Sequence, residues 1–155
     1  MKKNIFFTVL SALAILVISS CAKEEFKPYD HPFFHIHVDE QDSVNVLYNR
    51  KDVVEYKVYL SSKLQFDPID VEYEIIPGNG LEEGRDYQLL TQGTTLHFVQ
   101  GMFERSIKIA WLERRLDPAM NNTLTIRLKS NTKNFTIGLP GPDKKQSQLV
   151  ITKIN

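Results

Sequence analysis

The feature that most limits what this chain can fold into is a two-residue alternation of apolar and polar side chains, repeated in segment after segment. Between Val53 and Ser61, the residues Val54, Tyr56, Val58 and Leu60 share one face, and Glu55, Lys57, Tyr59 and Ser61 share the other. Ile69 to Ile76 sets Val71, Tyr73 and Ile75 against Glu72 and Glu74. Thr94 to Phe98 points Leu96 and Phe98 inward. Phe103 to Leu112 places Phe103, Ile107, Ile109 and Trp111 on one face, with Arg105 as a polar exception expected near a strand end or sheet edge. Leu124, Ile126 and Leu128 then oppose Thr123, Thr125 and Arg127. A side-chain period of two is the signature of a strand with one face buried. No window after residue 20 sustains the helical period.

Turn chemistry separates these segments. Asp67-Pro68, Gln100-Gly101, Asp117-Pro118 and the run Gly138 to Pro142 all interrupt regular structure. Pro77-Gly78-Asn79-Gly80 reads as a strong turn, because the glycines and the asparagine tolerate positive φ. Upstream, Phe34, Ile36 and Val38 alternate with His35 and His37, and Asp39 to Asp42 breaks the pattern. Val44 to Tyr48 reads as the other half of a first strand split between two sheets. At the other terminus Leu149, Ile151 and Lys153 share one face of a last strand, with Val150, Thr152 and Ile154 on the other. About seven strands with regular turns predict an all-β chain, an immunoglobulin-like antiparallel β-sandwich over residues 33–155. Roughly twenty inward apolar side chains, each contributing about 1.5–3 kcal/mol on full burial, suffice for a core. No intrachain disulfide is available, because Cys21 is the only cysteine.

Cys21 has another use. Lys2 and Lys3 precede an almost unbroken apolar run from Ile5 to Ile18, and Ile18-Ser19-Ser20-Cys21 follows. A basic start, an apolar run and a small-residue exit make residues 1–20 a secretory signal peptide. The run is shorter than the roughly 20 residues a membrane-spanning helix needs. The tetrapeptide ending at Cys21 resembles a bacterial lipobox, which implies a diacylglycerol on the Cys21 sulfur and anchoring by several acyl chains. Loss of the first 20 residues, two of them lysines, leaves 17 basic against 19 acidic residues, a net charge of about −2. So balanced a domain gives no footprint for nucleic acid or for polybasic membrane binding. Next, Ala22-Lys23-Glu24-Glu25 resembles the surface-export signal of Bacteroidetes lipoproteins, with Lys23, Glu24 and Glu25 as its charged residues. Residues 21–32 are then a lipid-anchored tether, with Pro28 and Pro32 opposing regular structure. Its free part spans at most about 40 Å.

Four pieces in order carry a second resemblance: Gly84-Arg85-Asp86-Tyr87, then Leu96 to Gly101, then Ser106 to Ile109, then Leu124 to Leu128. Together they resemble a Calx-beta domain, an immunoglobulin-like sandwich of sodium–calcium exchangers and many bacterial surface proteins. In that motif Asp86 is expected to bind turn amides, Tyr87 to pack, and Gly84 and Gly101 to permit turns. The resemblance implies calcium as a ligand. A Ca²⁺ site takes about six to eight oxygens, converging from loops. Here the loop from Leu116 to Asn122 carries Asp117 alone, with Asp143, Asp39, Glu40 and Asp42 as distant helpers. That set is too sparse for a calcium cage, and no cofactor is expected.

Other constellations are thin. His35 and His37 share a strand face where two imidazoles could bind a transition metal, but no third ligand stands at a firm spacing. Tyr59 lies on an outward face and is a candidate stacking platform for a glycan, whereas Trp111 shares the face of Ile107 and Ile109 and is expected in the core. Ser61, Ser62 and Ser147 lack a His/Asp context. Glu72 and Glu74 read as two solvated carboxylates. Asp42-Ser43-Val44 resembles the Bacteroidetes O-glycosylation tripeptide, with Ser43 as acceptor. The whole resembles small Bacteroidetes outer-membrane lipoproteins. It predicts a non-enzymatic accessory or binding protein on the cell surface, docked on an outer-membrane transporter or a substrate-binding lipoprotein. The alternative is a glycan- or calcium-binding adhesion module.

Overall fold

The computed structural model describes residues 30–155; the expected signal peptide, Cys21 and the expected export signal at Lys23, Glu24 and Glu25 lie outside the described residues. Within them are ten strands: β1 (Phe33–Ile36), β2 (Ser43–Leu47), β3 (Val53–Ser61), β4 (Ile69–Pro77), β5 (Tyr87–Leu89), β6 (Thr95–Phe98), β7 (Glu104–Trp111), β8 (Thr123–Asn131), β9 (Thr136–Ile137) and β10 (Gln148–Ile154). They form two five-stranded sheets, ordered β5-β7-β3-β1-β9 and β2-β10-β8-β4-β6. The apolar faces of both sheets meet in one core, so the chain is an all-β sandwich. Phe34 of β1 meets Phe98 of β6 edge-on across the two sheets, with ring centroids 5.1 Å apart.

The first strand is indeed divided. β1 pairs antiparallel with β3 in one sheet, while β2 pairs parallel with β10 in the other. The crossing is a tight turn, Val38 to Gln41, in which Asp39 and Glu40 take positive φ of 48° and 64°. The strands beyond the expected seven come from this division and from β5 and β9, which are three and two residues long. So short a run leaves no alternation to read.

Two expectations need correction. Phe103 is 41% exposed, because β7 begins only at Glu104 and Phe103 lies in the connection before it. Gly78 and Gly80 do not take positive φ. They are glycine because a Cβ at Gly78 would stand 2.3 Å from the Asn121 carbonyl oxygen, and one at Gly80 would stand 2.1 Å from Asn122 Oδ1. Gly84 and Gly101 are the opposite case. Their φ values are +80° and +77° with open space around them, so backbone conformation alone demands glycine there.

Two charged side chains sit where the core would otherwise be apolar. Lys153 keeps the inward phase of Leu149 and Ile151 and is 1% exposed. Its Nζ donates to the backbone carbonyls of Leu112 at 2.6 Å and Asp86 at 3.1 Å, and lies 5.8 Å from the Trp111 ring centroid. Burial lowers its pKa, and the Asp86 carboxylate opposes that fall. Asp86 is fully buried. Its carboxylate accepts from Glu82 N–H at 2.9 Å, Arg85 Nε at 2.7 Å and Arg114 Nη1 at 3.3 Å. Beside it Trp111 Nε1 donates to the Tyr56 hydroxyl at 3.0 Å, and burial pushes the Tyr56 phenol up to about 12.

Chain direction gives the sandwich two distinct ends. Residues 30–32 enter beside Ser61, at the end that also holds the β3–β4, β6–β7 and β8–β9 connections. The far end holds the β2–β3, β4–β5 and β7–β8 connections and Asn155, and it is here that Asp86 and Lys153 tie the β4–β5 and β7–β8 connections to β10. Replacing Asp86 with Ala removes the buried carboxylate that the Glu82 amide and the half-exposed Arg85 and Arg114 guanidiniums share, and is expected to cost about 1.5–3 kcal/mol. Asp70→Ala, which removes an exposed partner of His97, should cost less than about 1 kcal/mol. Urea denaturation of the two variants checks the contrast.

Candidate functional site

The far end carries an open concavity. The β7–β8 loop folds over the outer face of the second sheet and leaves a cleft of about 470 Å³. Leu116, Pro118, Met120 and Ile154 supply its apolar wall, with Asn122 and Thr152 among its polar groups. This size lies at the lower end of the range for small-molecule sites. The loop is braced from three directions. Asn79 Oδ1 accepts from Asn121 N–H at 2.8 Å, and Gly80 N–H donates to the Asn121 carbonyl at 2.9 Å. Asn155 exchanges two side-chain hydrogen bonds with the Leu116 backbone, at 2.9 and 3.1 Å. The Lys153 amide donates to the Asn122 carbonyl at 2.9 Å. Asn122 Nδ2 donates to the Asp117 carbonyl at 2.8 Å, while Asn122 Oδ1 is buried and has no partner. An unmatched acceptor of this kind is uncommon in a folded chain. Neither carboxylate nor imidazole lines the cleft.

The second feature lies on the outer face of the first sheet. His35 stands opposite Tyr59 in the β1–β3 pairing, and the turn after β1 brings His37 alongside. The three rings form a near-equilateral triangle. Their centroids are 5.2 Å apart for His35–His37, 4.8 Å for His37–Tyr59 and 5.4 Å for His35–Tyr59, with interplanar angles of 19°, 20° and 33°. The candidates His35, His37 and Tyr59 are therefore brought together.

A chain of hydrogen bonds assigns the tautomers. Gln146 Nε2 donates to the Glu40 carbonyl at 2.9 Å, which turns Gln146 Oε1 toward His35 Nδ1 at 3.0 Å. His35 must then carry its proton on Nδ1. The Glu40 amide donates to His37 Nδ1 at 3.0 Å, so neutral His37 carries its proton on Nε2. The pair thus presents one acceptor, His35 Nε2, and one donor, His37 Nε2–H. A metal ion would need both Nε2 lone pairs. At His37 that requires moving the proton to Nδ1 and giving up the Glu40 contact.

The remaining candidates are dispersed. Asp117 Oδ1 accepts from the Ala119 amide at 2.9 Å, capping its own turn. Asp143 is exposed in the β9–β10 connection, away from the β7–β8 loop. Among the described residues, no group of three or more His, Cys, Asp or Glu side chains is placed to hold a metal ion. Glu72 accepts from Ser130 Oγ at 2.7 Å, and Glu74 pairs with Arg127 at 3.2 Å and Lys129 at 3.4 Å. Glu72 is thus bound to a hydroxyl and Glu74 to two cations on the surface of the sheet. The cleft itself escaped sequence reasoning, because Leu116, Met120 and Asn122 sit in a loop without period or motif. No protein-family model matches the chain, and no curated protein matches it.

Burial is the largest influence on His35 and lowers its pKa; Gln146 opposes this and His37 adds to it. The unfolded chain, near 6.5, therefore takes up this proton more readily than the folded one. The stability that neutral His35 contributes is present above about pH 6.5 and is lost as pH falls from there through the folded value. His35→Phe keeps a ring without a proton, so its stability should fall less than that of the wild type between about pH 7 and 5. Long-range nitrogen–proton correlation spectra above that range should show the proton on Nδ1 of His35 and on Nε2 of His37.

Proposed function

We propose that this chain is a lipid-anchored, non-enzymatic accessory or binding module of a bacterial outer membrane, with its far end turned away from the bilayer. The carrying observation is that the chain from Cys21 enters the sandwich at one end, while the cleft of Leu116, Met120 and Asn122 opens at the other. A sandwich with nine-residue strands is roughly 30 Å long, so the two ends serve different neighbours. The Calx-beta-like and immunoglobulin-like resemblances support a display scaffold, and the lipobox-like sequence supports the anchor. The cleft's lack of ionisable groups aimed into it supports capture over catalysis, since general acid–base or nucleophilic chemistry needs a positioned titratable group. The partner of choice is a nutrient-uptake complex, either a transporter or a substrate-binding lipoprotein, with the far-end loops as the contact.

Acylation is the first test. Cells fed labelled palmitate should label the wild-type protein, and Cys21→Ser should lose both the label and co-sedimentation with membranes. Docking is tested by capture from detergent-solubilised outer membrane, which should return a transporter component. Met120→Glu, which puts a charge on the cleft wall, should weaken that recovery by about tenfold or more, as for an interfacial anchor residue. Recovery of the protein alone would overturn docking.

A second reading, direct glycan binding, is favoured by the ring triangle of His35, His37 and Tyr59. A sugar can accept from His37 Nε2–H, donate to His35 Nε2 and lie against the Tyr59 ring. Tyr59→Ala would then abolish retention on an immobilised-glycan column, while Met120→Glu would leave it unchanged.

A further inference from the structure

We infer that the entry end of the sandwich rests on the bilayer surface, with Leu64, Phe66, Val99 and Phe103 in contact with lipid. The inference rests on the lipid-anchor reading and its orientation, and adds to them a contact surface. Phe66 is 73% exposed, more than any other large apolar residue among those described, and Leu64, Val99 and Phe103 are also exposed. Strand direction gathers all four at one end. The β3–β4 connection carries Leu64 and Phe66, and the β6–β7 connection carries Val99 and Phe103. Phe98 pairs with Ile69, which sets Val99 beside the end of the β3–β4 connection, and the Leu60 amide donates to the Phe103 carbonyl at 2.8 Å. Exposed apolar side chains in neighbouring connections mark an interaction surface rather than scattered exposure.

The chain itself names the occupant. Asp30 pairs with Lys63 at 2.6 Å, the Pro32 carbonyl accepts from the Thr136 amide at 3.2 Å, and Phe33 lies opposite Ser61. The chain coming from Cys21 therefore meets the domain against the very connection that bears Leu64 and Phe66. Only eight residues lie between Cys21 and Asp30, so the two are at most about 32 Å apart along extended chain. An acylated Cys21 thus holds this end within reach of the membrane interface, where aromatic and aliphatic side chains are favoured. The lysines at this end pair off, Lys63 with Asp30 and Lys133 with Asp67 at 2.5 Å, and exposed Arg105 near Phe103 adds one cation, too few for a polybasic contact. The contact should therefore depend on apolar insertion and need no anionic lipid.

The test uses the mature, acylated protein in phosphatidylcholine vesicles, with an environment-sensitive fluorophore on an introduced cysteine; the acylated Cys21 does not react. Phe66→Cys and Phe103→Cys should show blue-shifted emission and lose it to a lipid-borne quencher, and Met120→Cys at the far end should do neither. If the protein floats with vesicles but the labels at 66 and 103 report water, the inference is wrong and the anchor stands. Quenching at 120 as well would mean a domain lying on its side, and would also overturn it. A protein that does not float with vesicles removes the anchor and this inference together. Shielding of 66 and 103 that lipid quenchers cannot reach would assign the surface to a protein partner instead.

Discussion

The buried carboxylate of Asp86 is the constraint on which the far end of this sandwich depends. It lies at 0% exposure, with an amide and two guanidinium groups as its donors. Taking a carboxylate out of water is costly unless its oxygens are satisfied in place. Those donors come from the β4–β5 connection and from the chain just beyond β7. The backbone carbonyl of the same residue accepts from the Leu112 amide and from Lys153 Nζ. One residue thus joins both sheets, at the point where an antiparallel sandwich would otherwise have only loops to close it. Lys153 is the reciprocal half of this arrangement. Its ammonium caps two carbonyls and the Trp111 face, a use that an apolar residue of equal volume could not serve.

From this closure follows the shape of the cleft. β10 is held by Lys153, and the main-chain amide of that residue holds Asn122. The glycines at 78 and 80 let the β7–β8 loop lie against the β4–β5 connection at distances that a Cβ would forbid. The loop is thereby set before any ligand arrives, and a preorganised loop costs less ordering entropy on binding. At the opposite end Lys133 holds Asp67 beside Phe66, the Val99 carbonyl accepts from the Met102 amide, and the incoming chain is fixed by Asp30, His31, Pro32 and Phe33. A braced loop at one end and exposed apolar side chains at the other suit the proposed lipid-held module.

Much of the fold was legible in the alternation. Tyr56, Val58, Leu60, Ile107, Ile109, Trp111, Leu124, Ile126 and Leu128 are all buried in the phase their spacing requires. The division of the first strand was also visible, because Asp39 to Asp42 interrupts one alternating run and a second begins at Val44. Less could be read where sequence distance is great or a run is short. β5 and β9 owe their existence to neighbours already in place, Trp111 and Phe33 among them. The burial of Asp86 was not readable from a motif that equally suits an exposed turn, since Arg114 lies 28 residues away. The reason for Gly78 and Gly80 was misread because close approach by Asn121 and Asn122 is a tertiary fact. Of the candidate residues, the β1–β3 register united His35, His37 and Tyr59, while Asp117 and Asp143 fall in separate connections.

Display at the cell surface, with the anchored end inward and the cleft outward, is tested most directly by treating intact cells with protease. Cleavage in the exposed β7–β8 loop before any loss of a periplasmic marker, with an acylated N-terminal fragment retained in the membrane, is the result this arrangement requires. Survival of the full-length chain until the outer membrane is permeabilised would contradict it.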